Sequence, residues 1–227
     1  MTRTTNARIA GFTFLFYIAV GISSMVLFAR ATSGEGITAQ LAAMAQHATE
    51  VRIAVLLIPF MNLSALVLAV TLYAITREQD PDLARLAMIC RVAEGIVGMD
   101  VSTRLGLLWL ATAAGATVPD TGAAFALGAF LLKTDAWSVV PSAIFFAVGS
   151  TLFSWLLLRG RMIPVALAWF GVLASILVVV CLPLQLAELL GAPVTSLMWL
   201  PMLVFEVALA LWLIIKGVAA PMPRQRA

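Results

Sequence analysis

The chain has 227 residues, of which 63% are hydrophobic and only 11% charged, with a mean hydropathy of +1.06. A soluble domain carries about 25% charged residues, and a run of roughly 18 or more apolar residues marks a membrane span, so this composition excludes an ordinary soluble fold. The net charge of +3 and pI near 9.3 do not make a nucleic-acid surface, because the basic residues are few and scattered.

From the N-terminus, Arg3 and Arg8 precede an apolar run over residues 9–29, and Ala29-Arg30-Ala31 imitates a cleavage site. The run exceeds the 7–15 residues of a signal-peptide core, so it is expected to stay as a first helix. Further spans are predicted over 51–75, 86–111, 137–158, 163–184 and 197–215, each near the length a bilayer requires. Two shorter pieces lie between them. Residues 38–50 are expected to form a short helix capped by Thr38, and 121–133, apolar but too brief to cross, an interfacial or re-entrant one. The expected fold class is therefore all-α: a single polytopic membrane domain, a bundle of six transmembrane helices with two short extracytoplasmic helices.

Basic residues orient this bundle. With both termini inside, Arg3, Arg8, Arg77, Arg85, Arg159, Arg161, Lys216, Arg224 and Arg226 are cytoplasmic, against Arg30, Arg52 and Lys133 outside, which is a positive-inside bias. Cys90 and Cys181 fall near opposite ends of their spans, too far apart for a disulfide. Pro59, Pro141, Pro183 and Pro201 are expected to kink or bound spans, and Asn62, Ser64, Ser150, Thr151 and Ser154 to bond to backbone or neighbouring helices.

The third span holds the anomaly. "CRVAEGIVGMDVSTR" places Arg91, Glu94, Asp100 and Arg104 in fifteen residues with apolar sequence on both sides. A charge at a helix centre costs about 2.5–3.5 kcal/mol on insertion scales, against about 0.3–0.6 gained for each Leu, so these groups must be paired, near an interface or beside a wet cavity. Spacing suggests two pairs on roughly opposite helix faces, Arg91 with Glu94 at i,i+3 and Asp100 with Arg104 at i,i+4. Glu206, near the middle of the sixth span, is a fifth such charge, and its expected partner is Arg91 or Arg104, with Arg91 favoured by the small residues Gly95 and Gly98 on its face.

Catalytic and cofactor signatures are missing from the sequence. The single histidine, His47, lies between spans one and two, and there is no nucleophile elbow, P-loop or paired-cysteine motif. No cofactor or metal is expected, and an intramembrane enzyme ranks third among the readings. Ahead of it stand two others: a protein that binds or moves a small or amphiphilic ligand at a polar pocket between spans three and six, and an accessory subunit whose charges only fix helix packing. The bilayer is the expected partner in every case; the oligomeric state is left open.

Four stretches, "ARIAGFTFLFYIAVG", "CRVAEG", "RGRMIPVALAWFGVL" and "LVFEVALALWLIIKG", resemble the bacterial membrane family named domain of unknown function 4386. The resemblance runs over nearly the whole chain, with Arg-x-x-Glu in span three and the Glu of the last span as its most telling parts. It implies a compact multi-helix membrane protein and carries over no activity or substrate. Asp100 and Arg104 match no motif of that family.

Overall fold

A computed structural model describes residues 2–117 and 121–220 of the chain. It is all-helical over them: α1 (Arg3–Ala31), α2 (Gly36–Gln46), α3 (Ala48–Thr76), α4 (Pro81–Val97), α5 (Ser102–Thr117), α6 (Thr121–Arg159), α7 (Val165–Leu186), α8 (Ala192–Leu197) and α9 (Trp199–Ile215). Five helical stretches, α1, α3, α6, α7 and the α8–α9 segment, are long and apolar enough to cross a membrane. Arg224 and Arg226, counted above on the cytoplasmic side, lie outside the described residues.

Local signals start and stop these helices. The Thr2 hydroxyl accepts from the Thr5 N–H at the head of α1, and Asp80 accepts from the Leu83 N–H while Pro81 occupies the first position of α4. α6 and α7 both end in a left-handed residue, Arg161 at φ 47° and Glu188 at φ 57°. After each, the next N–H reaches five residues back, Met162 to the Leu157 carbonyl and Leu189 to that of Leu184, the closure of a Schellman motif.

Packing closes the long helices into a ring. In chain order, α1 lies against α3, α3 against α4, α4 against α6, α6 against α7, α7 against α9, and α9 returns to α1. The start of α1 and the segment after α9 meet at one end of this ring, where a Cβ on Gly217 would sit 3.9 Å from Thr4 and the Ala219 N–H bonds the Met162 carbonyl. Arg3 with Glu78, and Arg159 with Asp80, tie the neighbouring turns there. The main core fills the ring from Phe14 on α1 to Phe146 and Phe153 on α6 and Met202 and Phe205 on α9.

Three expectations are corrected. The third span is not one helix over 86–111: α4 stops at Val97 and α5 starts at Ser102. The two run end to end along α6 in antiparallel register, Ala87 and Arg91 beside Gly149, Glu94 bonded to Ser142, Arg104 to Asp135, Gly106 facing Leu131. Helix interruptions in apolar surroundings need their freed backbone groups satisfied. Here Asn62 on α3 donates to the Gly98 carbonyl at 2.9 Å and to the Ile58 carbonyl at 2.8 Å, and the Asp100 carboxylate accepts from the Ser102 N–H to start α5.

Second, the expected short helix at 121–133 and the span at 137–158 are a single helix, α6, about 58 Å long at 1.5 Å per residue. The polar residues where the two pieces join, Lys133 and Asp135, find partners on and beside the helix. Lys133 stacks on Trp137 at 4.6 Å and pairs with Glu188, while Asp135 pairs with Arg104. Third, the helix expected at 38–50 is α2, which begins at Gly36, ends at Gln46 and uses no side-chain cap; α3 takes over at Ala48.

Gly98 is required by space rather than by backbone, its φ being −73°. A Cβ there would meet Asn62 Oδ1 at 2.3 Å and Ser142 Oγ at 2.9 Å. Gly98→Ala should therefore lower unfolding stability by about 1–3 kcal/mol, the usual cost of overpacking. Asn62→Ala should cost a similar amount through the orphaned carbonyl, yet the double variant should lose less than the two losses together, because Asn62→Ala removes the nearer obstacle. Thermal unfolding in detergent of the three variants checks this.

Candidate functional site

Arg91 sits at the heart of the ring, 1% exposed. Its Nη1 stands 2.8 Å from Glu94 Oε2, one helical turn on, and Glu94 is itself 2% exposed. Three aromatic rings enclose the guanidinium, with its central carbon 5.0 Å from the centroid of Phe146 and 5.8 Å from those of Phe14 and Tyr17. The negative face of an aromatic ring attracts a cation, most strongly where water is excluded. Gly149 makes room for the arginine stem, since a Cβ there would lie 3.2 Å from Arg91 Cγ. The Tyr17 hydroxyl then donates to Glu94 Oε1 at 2.9 Å, and Ser142 donates to the Glu94 carbonyl at 3.1 Å. The expected Arg91–Glu94 pair is thus present, with partners on α1 and α6.

The second expected pair is not. Asp100 accepts from both the N–H and the hydroxyl of Ser102, because it lies in the turn that starts α5 and its carboxylate is drawn to the free end of that helix. With the helix interrupted, i,i+4 geometry no longer joins Asp100 to Arg104. Arg104 pairs instead with Asp135 on α6, Nε to Oδ1 at 3.1 Å, donates to Ser24 Oγ on α1 at 3.3 Å, and lies 4.2 Å from the Phe28 ring centroid. Ser24 in turn donates to the Ala54 carbonyl on α3.

Glu206 is 4% exposed and faces the same interior. The direct contact expected with an arginine is not made: Glu206 forms no ion pair among the described residues, and its Oε1 has no hydrogen-bond partner. Arg91 is already engaged by Glu94, so the fifth buried charge is left over.

Apart from Arg91, all of these charged groups line one cavity of about 430 Å³ bounded by α1, α3, α4, α5, α6 and α9. It has two levels. Ser24, Arg104 and Asp135 mark the upper, and Tyr17, Glu94, Ser142 and Glu206 the lower. The levels are seven residues apart on α1 and again on α6, about 10 Å. The rest of the wall is mostly apolar, with Met25, Met61, Met202 and Trp199 among its residues. The expected pocket between spans three and six is therefore a cavity between more elements than those two. Sequence reasoning missed Tyr17 and Asp135 as members of it. A tyrosine in an apolar helix carried no signal of its own. Asp135 had one in plain view, being an acidic residue beside an apolar run with arginines at membrane depth elsewhere in the chain. Cys90 and Cys181 are both free and buried, and among the described residues no group of His, Cys, Asp and Glu is arranged to hold a metal.

The Arg91–Glu94 pair yields a direct test. Removing one partner of a buried ion pair leaves an uncompensated charge and costs about 3–5 kcal/mol, whereas removing both leaves none. Arg91→Met and Glu94→Gln should each destabilise the chain by that order, and the double variant should recover more than half of the loss. Denaturant or thermal unfolding in one detergent checks the coupling.

Among the comparisons with known proteins, the family described as Domain of unknown function (DUF4386) matches residues 9–217, which include α4, α9 and every charged residue of the cavity. No curated protein and no solved structure matches the chain. With the match running from the first helix to just past the last, the chain belongs to the DUF4386 family.

Proposed function

We propose that the chain is a single-domain, multi-pass protein of a bacterial cytoplasmic membrane that binds or moves a small or amphiphilic ligand in the cavity between α1, α3, α4, α5, α6 and α9. Five of its crossings are the long apolar helices, and the sixth is the interrupted pair α4–α5. Both termini lie on the cytoplasmic side. What supports this orientation is the gathering of Arg3, Arg8, Arg77, Arg85, Arg159, Arg161 and Lys216 towards the end of the bundle where α1 begins and α9 ends.

The observation that carries the ligand reading is the cavity itself. A space of about 430 Å³ with a mostly apolar wall and a few convergent charged groups has the size and chemistry of a small-molecule site. An interrupted helix beside it fits the same role, because broken helices in membranes are tolerated where they border a cavity and commonly mark binding sites there.

A structural role suits part of the charge network and not the rest. Arg91 and Glu94 balance each other's charge at 2.8 Å, and the three rings around the guanidinium close it off from the cavity, which it does not line. They brace the lower wall. Glu206, Arg104 and Asp135 face the space that the wall encloses.

Ser138 lines the cavity between its two levels. The protein purified in mild detergent should carry a small adduct in its native mass spectrum, and Ser138→Trp, by filling the space, should lose the adduct while keeping its helical circular dichroism. A wild-type chain bare of any adduct, or an adduct that survives Ser138→Trp, sinks the reading.

A further inference from the structure

The charges of the cavity do not balance. At the lower level one guanidinium, Arg91, serves two buried carboxylates, Glu94 and Glu206. At the upper level one guanidinium, Arg104, stands with two carboxylates, Asp135 and Asp100, and is engaged by Asp135. The excess is negative at both levels, and only at the lower one is the unmatched carboxylate buried. Asp100 is exposed and spends its charge on the start of α5. Glu206 has no ion-pair partner among the described residues, and its Oε1 has no hydrogen-bond donor. A carboxylate kept ionised in that condition costs several kcal/mol, which either a proton or a positive partner removes, and only the ionised form can pair with a cation.

We propose that Glu206 is the docking point for the positive group of an organic cation, whose apolar body occupies the rest of the cavity. This rests on the ligand reading above and names the class of ligand. Three further observations favour an organic cation over a bare metal ion. The carboxylates of the cavity do not converge into a metal-holding set among the described residues. The wall carries an aromatic ring free of any buried cation: Trp199, two turns before Glu206 on α9, lines the cavity and packs at 6.1 Å on Phe146, the ring that serves Arg91. Aromatic faces attract ammonium and phosphonium groups that are too large and too weakly hydrated to need a full shell of oxygen ligands. Met202, one turn before Glu206, and Met61 on α3 add polarizable, unbranched side chains that adapt to apolar bodies of differing shape.

The geometry also assigns the other charges. Glu94 is held by Arg91 and Tyr17, so it sets the field of the lower level without being free to pair with a ligand. Arg104, at the upper level, repels a cation that stops short, and its tie to Asp135 and Ser24 keeps it against the wall. A cation therefore meets the one buried carboxylate of the cavity that no ion pair among the described residues engages about 10 Å below the Arg104 level, at Glu206.

A pair of ions of the same shape and opposite charge tests this: tetraphenylphosphonium and tetraphenylborate. Binding of each to the full chain is measured by equilibrium dialysis in one detergent, against a detergent blank. Wild-type protein should take up tetraphenylphosphonium at one site and tetraphenylborate at least tenfold more weakly. Glu206→Gln should weaken tetraphenylphosphonium binding about tenfold or more, Glu206→Asp should retain most of it, and Ser138→Trp should abolish it. Equal uptake of the two ions, or a Glu206→Gln chain that binds tetraphenylphosphonium like the wild type, overturns the proposal and leaves the cavity reading standing. Uptake of neither ion by a chain that still carries a native adduct has the same consequence; uptake of neither by a chain without an adduct overturns both. A Glu206→Gln chain that no longer folds assigns Glu206 to the packing of the bundle and also overturns the proposal.

Discussion

The fold turns on the burial of one guanidinium. Arg91 cannot be left alone in an apolar interior, and each neighbour that makes it tolerable comes from a different part of the chain: Phe14 and Tyr17 from α1, Glu94 from its own helix, Phe146 and the space above Gly149 from α6. Apolar packing between such helices is permissive, because one leucine face fits another in many registers. A buried ion pair is not, since its stability depends on short-range geometry. The pair thus sets which residues of α1, α4 and α6 meet, and the rest of the ring packs around that choice.

The interruption between α4 and α5 follows from the same register. If α4 continued unbroken, Gly98, Asp100 and Arg104 would turn with it at about 100° per residue and carry Arg104 away from the line of contact with α6. Stopping at Val97 and restarting at Ser102 resets the direction, so that Arg104 meets Asp135 just as Glu94 meets Ser142. The cost of the break is a handful of freed backbone groups, and Asn62 and Asp100 each take one. The same break leaves room beside it, and the cavity occupies that room.

Much of this was legible in the sequence, for identifiable reasons. The long helices follow from apolar length alone, and Arg91, Glu94 and Glu206 stand out because charge in such a setting is too costly to be incidental. Their burial was legible; the identity of their neighbours was less so. Arg91–Glu94 was readable because it is local, one turn along one helix. Arg104–Asp135 was not, because it joins residues 31 apart and depends on α6 being a single helix through Lys133 and Asp135. The break at 98–101 was hidden by the apolar residues around it, which fit a span equally well. Its two markers, a glycine and an Asp-x-Ser turn, read just as naturally as a packing site and half of an ion pair. Glu206 illustrates the remaining gap: a sequence shows that a charge needs a partner, but not that the nearest candidate is already taken.

The closing of the ring has a bearing on how the protein is made. α9 packs between α7 and α1, and it brings Glu206, Met202 and Trp199 to a cavity whose other walls come from α1, α3, α4, α5 and α6. During synthesis those walls exist before the last helix does. Until α9 arrives, the side of α1 around Gly11, which a Cβ would drive to 2.7 Å from the Ala210 carbonyl, lacks the helix it packs against. The cavity, its unmatched carboxylate and the last seam of the bundle are therefore completed in one late event, and a nascent chain stopped short of residue 199 would present an open trough in place of a binding site.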